Sequence, residues 1–184
     1  MTSRFENVLK KIDYLNAQDP FKKELSYSEG LSQWVKTLNP NASELLLIVA
    51  RGQHVERWKS PRQNYPMDRG GYLRWREDLK KMHGSIITGI MSEEGYSTEE
   101  QERVRTIILK KNFKEDLDVQ TIEDGLCLMF LEHQFLDLMA KTPIDKMLEI
   151  VRKTWGKMSD AGKQCALKLN YSDREKTILT QALK

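Results

Sequence analysis

The sequence predicts an all-α protein, and three observations carry that prediction. Apolar residues recur at a spacing near 3.6 in almost every segment. Strict alternation is nearly absent. Cap and breaker signals punctuate the chain at helical lengths. With 184 residues, 39% apolar and 31% charged, there is apolar material for one compact domain of roughly seven to nine helices.

The elements follow in order. Ser3 and Glu6 form a capping box, and Phe5, Val8, Leu9, Ile12 and Leu15 share one face of the helix it opens. Asp19-Pro20 breaks the chain. A second helix is expected from Ser26 to Leu38, and Asn39-Pro40-Asn41 is a turn. A third, Ser43 to Trp58, contains Leu45-Leu46-Leu47-Ile48-Val49-Ala50 and so reads as central and packed all round. A loop with Pro61, Pro66 and Gly70-Gly71 precedes a fourth helix, Tyr72 to Glu94, whose stripe is Tyr72, Trp75, Leu79, Met82, Ile86 and Ile90. Ser97 and Glu100 box the fifth. The sixth runs from near Val119 to near Lys141. Thr142-Pro143 reads as N-cap and first turn of the seventh, which ends near Met158. Ser159 and Ser172, the latter with Glu175 as a third box, open two short terminal helices. A helical domain over 1–141 with a C-terminal extension over 142–184 packed on it is the expected organisation.

The net charge of +3 is small, but its distribution is uneven. Arg51 to Lys81 holds nine Lys or Arg against four Asp or Glu, which leaves −2 for the rest. Cys127 and Cys165 lack metal or disulfide spacing and read as buried hydrophobes or free thiols. The N-terminus is charged throughout, and the longest apolar run, Leu45 to Ala50, is far too short for a membrane span. A cytoplasmic protein with no membrane partner is expected.

Three histidines are available, His54, His83 and His133. His54 follows the apolar helix, at the mouth of the core, where a ligand or a general acid/base is useful; a partly buried histidine bonded to the loop is the plainer alternative. Glu123 and Asp124 sit in an otherwise apolar helix. A carboxylate there requires a partner: an arginine, a histidine or a metal. Asp124 and His133, nine residues apart, differ by about 900° and about 13 Å on one helix, so they cannot share a metal. Arg57, Arg62 and Arg69, with Tyr65, stand among prolines and glycines and suit an anion pocket, whereas Arg76 suits a solvated helix face. Lys157-Met158-Ser159 matches three residues of the class I aminoacyl-tRNA synthetase signature loop, but no HIGH motif or parallel sheet accompanies it.

The runs Gly52-Gln53-His54-Val55-Glu56-Arg57-Trp58, Tyr65-Pro66-Met67-Asp68-Arg69, Gly71-Tyr72-Leu73-Arg74-Trp75-Arg76 and Gln120-Thr121-Ile122-Glu123-Asp124 resemble a family catalogued only as a domain of unknown function. More distantly, the order of elements is similar to that of HD-type metal-dependent phosphohydrolases. That resemblance matches His54 to the histidine of the His-Asp pair, His83 to the following histidine and Asp124 to the late aspartate. It departs at Val55, where the pair requires an aspartate, and at the early-helix histidine, for which Glu29 is the nearest substitute. Lys110-Lys111 stands where some members carry a further histidine.

The resemblance implies an HD-like arrangement and a divergent hydrolase of a phosphate ester or nucleotide. In it His54 and Asp124 would act in catalysis and, with Glu29, hold a divalent metal. Arg57, Arg62, Arg69, Tyr65 and His83 would hold an anionic, phosphate-containing ligand. The alternative is a non-catalytic relative that binds a small anion or a protein partner through the same pocket; RNA binding by the 51–81 stretch is less favoured.

Overall fold

The computed structural model describes residues 3–184, and among these it contains ten α-helices, two short 3-10 turns and no strand. The contacts divide the chain into two compact units, one up to Val119 and the other Gln120–Lys184.

In the first unit α1 (Arg4–Ala17) starts at the expected box, with both reciprocal Ser3 and Glu6 bonds present. Asp19 then does more than break the chain. Its buried carboxylate accepts from the backbone N–H groups of Phe21, Lys23 and Glu24, which caps the next helix from outside. Burial alone would raise its pKa, yet those three donors hold it below the usual value. Helix α2 (Glu24–Leu38) therefore begins two residues before the expected Ser26.

Helix α3 (Glu44–Gly52) packs against α1, α2, α4 (Arg69–Glu93) and α5 (Thr98–Ile108), and Leu46, Ile48, Val49 and Ala50 are fully buried, so it is the central helix. It stops at Gly52, six residues short of the expected Trp58. Gly52 lies so close to α4 that a Cβ there would meet Ile87 at 2.3 Å. Beyond it the chain turns, and Glu56 adopts a left-handed conformation (φ 55°) that sends Arg57–Lys59 into a 3-10 turn. That reversal sets the functional geometry below.

Helix α4 (Arg69–Glu93) starts three residues earlier than expected because Asp68 is its N-cap, accepting from Gly71 N–H at 2.6 Å. Its buried stripe is Trp75, Leu79, His83, Ile87 and Met91, spaced by four. His83 occupies the inner row, while Tyr72 is exposed and Met82 and Ile86 are half-buried. At Gly71 a Cβ would sit 2.0 Å from the Pro66 carbonyl oxygen, whereas at Gly70 it would meet only Asp68 at 3.5 Å. Gly71→Ala is expected to cost about 1–3 kcal/mol by forcing the loop away. Gly70→Ala should change stability by less than about 0.5 kcal/mol. Denaturant midpoints of the two variants check this; equal midpoints would refute the close approach.

Helix α5 (Thr98–Ile108) begins at its Ser97–Glu100 box and buries Val104, Ile107 and Ile108. Lys110, Asn112 and Lys114 then take left-handed conformations in the turn that follows. Arg103 ion-pairs with both Asp116 and Asp118 at the start of α6 (Leu117–His133).

In the second unit the single helix expected up to Lys141 is two. Gln134 leaves helical geometry (φ −123°) between α6 and α7 (Phe135–Met139). Phe135 is fully buried and packs against Phe130 and Tyr171. Pro143 is extended and lies just outside α8 (Ile144–Lys157), one position earlier than the predicted first turn. Helix α9 (Asp160–Ala166) is capped by Ser159, and α10 (Asp173–Ala182) by the Ser172–Glu175 box; α10 packs on α8. No helix among the described residues is long and apolar enough to cross a membrane.

Candidate functional site

The left-handed turn at Glu56 folds Arg57 back onto His54. Arg57 Nη1 donates to His54 Nε2 at 2.9 Å. A guanidinium only donates, so Nε2 holds a lone pair and Nδ1 carries the proton. That Nδ1 faces Glu24 Oε2 at 3.4 Å. Tyr27, one helical turn after Glu24 on α2, stacks on the His54 ring with centroids 4.3 Å apart and planes 13° apart. Both ring nitrogens and one ring face are thus engaged.

Burial, and then the charges of Arg57, Arg76 and Lys110, hold the His54 pKa well below the usual imidazole range. The ring is neutral at physiological pH. Burial also lowers the Arg57 pKa and raises that of Glu24, and the opposite charges of the two partly offset both shifts. Arg57 lies over the Trp75 ring at 5.0 Å, and the indole is anchored by its Nε1–H donating to Ser60 O at 2.8 Å. Arg57 forms no ion pair with a carboxylate among the described residues. Arg76, expected on a solvated face, is half-buried; its Nη1 donates to the Tyr72 hydroxyl at 3.1 Å.

His83 lies 6.2 Å from His54, ring centre to ring centre. Its Nδ1 is 2.8 Å from the Val55 carbonyl oxygen, an acceptor only, so Nδ1 carries the proton. Its Nε2 is a buried lone pair with no hydrogen-bond partner among the described residues. Burial, reinforced by the neighbouring His54, lowers its pKa to about 3. Val55 itself is fully buried, and its backbone oxygen, not its side chain, serves the site.

The remaining predicted residues are placed elsewhere or occupied. Arg62 donates to the carbonyls of Tyr65, Pro66 and Asp68 at 3.0, 2.7 and 3.2 Å, which makes it a brace for the loop. The Tyr65 hydroxyl donates to Asp78 at 3.1 Å. Arg69 is exposed at the first residue of α4. Glu29 is exposed and lies 3.4 Å from Arg51, which is bonded chiefly to Asp13. His133 is exposed beside Glu132.

Asp124 belongs to the second unit. Its Oδ1 accepts from Ser159 N–H at 2.8 Å and Gln120 Nε2 at 2.9 Å, and its Oδ2 accepts from the Ser159 hydroxyl. Ser159 in turn caps α9 through Gly162 N–H at 3.1 Å. A hydroxyl, an amide and a backbone N–H thus meet the demand that suggested an arginine, a histidine or a metal. Of the three synthetase-like residues, Lys157 ends α8, Met158 is its C-cap and Ser159 is the N-cap of α9. No group of three or more His, Cys, Asp or Glu among the described residues is arranged to hold a metal ion.

Two partners of His54 escaped sequence reasoning, Glu24 and Tyr27. A signal was present: they stand three apart on one helix face, upstream of the fully buried Leu31.

Fold and site together define an all-α protein whose central helix delivers a neutral histidine to a half-buried arginine. The chain belongs to the family described as a domain of unknown function (DUF4202), which it matches over residues 6–179. No curated protein and no solved structure matches it.

Proposed function

We propose that the chain is a divergent HD-like protein that binds a small, phosphate-bearing anion at Arg57, with Arg76 assisting and His54, Tyr27 and Trp75 fixing the geometry. The observation that carries this reading is Arg57 itself. It is a half-buried guanidinium held against a neutral histidine and an indole, with no carboxylate ion-paired to it. The Glu24 carboxylate offsets the Arg57 charge only in part, without a direct ion pair, and an anionic ligand removes the remaining cost of burying that cation. Arginine's planar fork suits a phosphate oxygen pair.

A divalent metal does not fit the side chains proposed for it. A cation at His54 Nε2 would meet the Arg57 guanidinium, which is 2.9 Å from that nitrogen. Glu29 faces Arg51, and three donors fill Asp124. The Val55 departure from the HD pattern agrees with this reading, because an apolar side chain stands where a ligand aspartate belongs.

The test is a titration of metal-stripped protein with inorganic phosphate and pyrophosphate, repeated with Mn²⁺. Saturable binding that Mn²⁺ leaves unchanged is expected. Mn²⁺-dependent turnover of phosphoesters, lost in His54→Ala, would instead establish the metal-dependent hydrolase.

A further inference from the structure

We propose that His83 makes this anion site selective for a protonated oxoanion, one that carries a P–OH group or an adjacent hydroxyl, over a fully deprotonated one such as sulfate. The proposal rests on the anion reading above and names the ligand's chemistry more closely. His83 is 2% exposed. Its tautomer is fixed by the Val55 carbonyl, which accepts the Nδ1 proton at 2.8 Å. What remains is an acceptor at Nε2 that no described protein group satisfies. An unmet buried acceptor is unfavourable, and native structures rarely keep one without a use.

Its location points to the use. The ring is 6.2 Å from that of His54, and its charge environment includes His54, Arg57 and Glu24. The Arg57 donors thus share a neighbourhood with two acceptor-bearing side chains, the Glu24 carboxylate and the His83 imidazole with its Nε2 lone pair. An anion that fits both kinds of neighbour needs oxygens that accept and one hydroxyl that donates. Hydrogen phosphate and phosphate monoesters with a neighbouring hydroxyl have that pattern near neutral pH; sulfate does not. Nε2 is enclosed, so the proposal includes a swing of the Arg57 side chain from His54 onto the anion as the hydroxyl enters. Sites built to bond a ligand hydroxyl discriminate strongly against ligands lacking it.

The experiment is calorimetric titration at pH 7 and fixed ionic strength with inorganic phosphate and with sulfate. It uses the wild type, His83→Asn and His83→Gln, with circular dichroism confirming the fold. Asparagine keeps the donor toward Val55 but has no acceptor at the Nε2 position, whereas glutamine restores one. The expected result is phosphate bound about 10- to 100-fold more tightly than sulfate by the wild type and by His83→Gln. In His83→Asn the preference should vanish through loss of phosphate affinity alone. Equal affinities in the wild type would overturn the proposal and leave the anion reading standing. No binding of either ion would overturn both. Should the variants fail to fold, the wild-type comparison decides alone.

Discussion

Acidification from pH 6.5 to 4.5 should destabilise this protein steeply, before most carboxylates titrate. His83 has a folded pKa of about 3 against 6.5 for a free imidazole. A depressed histidine pKa means that the unfolded chain takes up a proton in this window and the folded chain does not. Its contribution is complete above pH 6.5 and is lost as pH falls toward about 3. The loss is about 1.4 kcal/mol per pH unit for His83 and roughly 5 kcal/mol over the full window. His54, held well below the same value, adds in the same direction. Glu24, raised by burial, opposes them in part, because its folded form binds a proton more readily. Urea unfolding at half-unit pH steps measures the slope. His83→Gln should flatten it; an identical slope in that variant would show that His83 is not a buried neutral imidazole.

The second large effect concerns Asp124. Asp124→Ala should cost about 3 kcal/mol, because Ser159 N–H, the Ser159 hydroxyl and Gln120 lose a charged acceptor inside the protein. Asp124→Asn keeps one oxygen and the shape, and should cost about 1 kcal/mol. Gly162 explains the small tolerance: a Cβ there would lie 2.7 Å from the Asp124 carboxyl carbon, so cap and acid are closely packed. Denaturation midpoints give the energies. Anion affinity of the folded Asp124→Asn variant should match that of the wild type. Full stability with abolished binding would return Asp124 to the ligand site.

What the sequence disclosed depends on how local the cause is. The boxes Ser3–Glu6, Ser97–Glu100 and Ser172–Glu175 are complete within four residues, and all three form as read. The central helix was legible from six consecutive apolar residues. Its end was not, because nothing in Glu56 favours the left-handed conformation it adopts, and the close approach of Gly52 to Ile87 is a tertiary contact that local sequence does not show.

The site shows the same division. Arg57 was recognisable as a residue that packing does not require, and His54 and His83 were singled out by the HD-type resemblance; the structure brings the three together. Arg62 looked equivalent to Arg57 by composition, yet it braces carbonyls that the loop's irregular backbone leaves without partners. Sequence position alone names Glu29 as the substitute for the early-helix histidine, and it does not single out Glu24. The two are five residues apart, about 140° around a helix, so at most one can face the histidine. The carboxylate of Asp19, which starts α2 early, places Glu24 in that position.

The central claim is that Arg57 holds an anion, and one measurement tests it most directly. Metal-free wild type and Arg57→Ala are titrated calorimetrically with inorganic phosphate at low salt, and circular dichroism confirms that both are folded. One phosphate per chain is expected in the wild type, with affinity lower by about 30-fold or more in Arg57→Ala. Equal affinity in the two proteins, or no binding by the wild type, would contradict it.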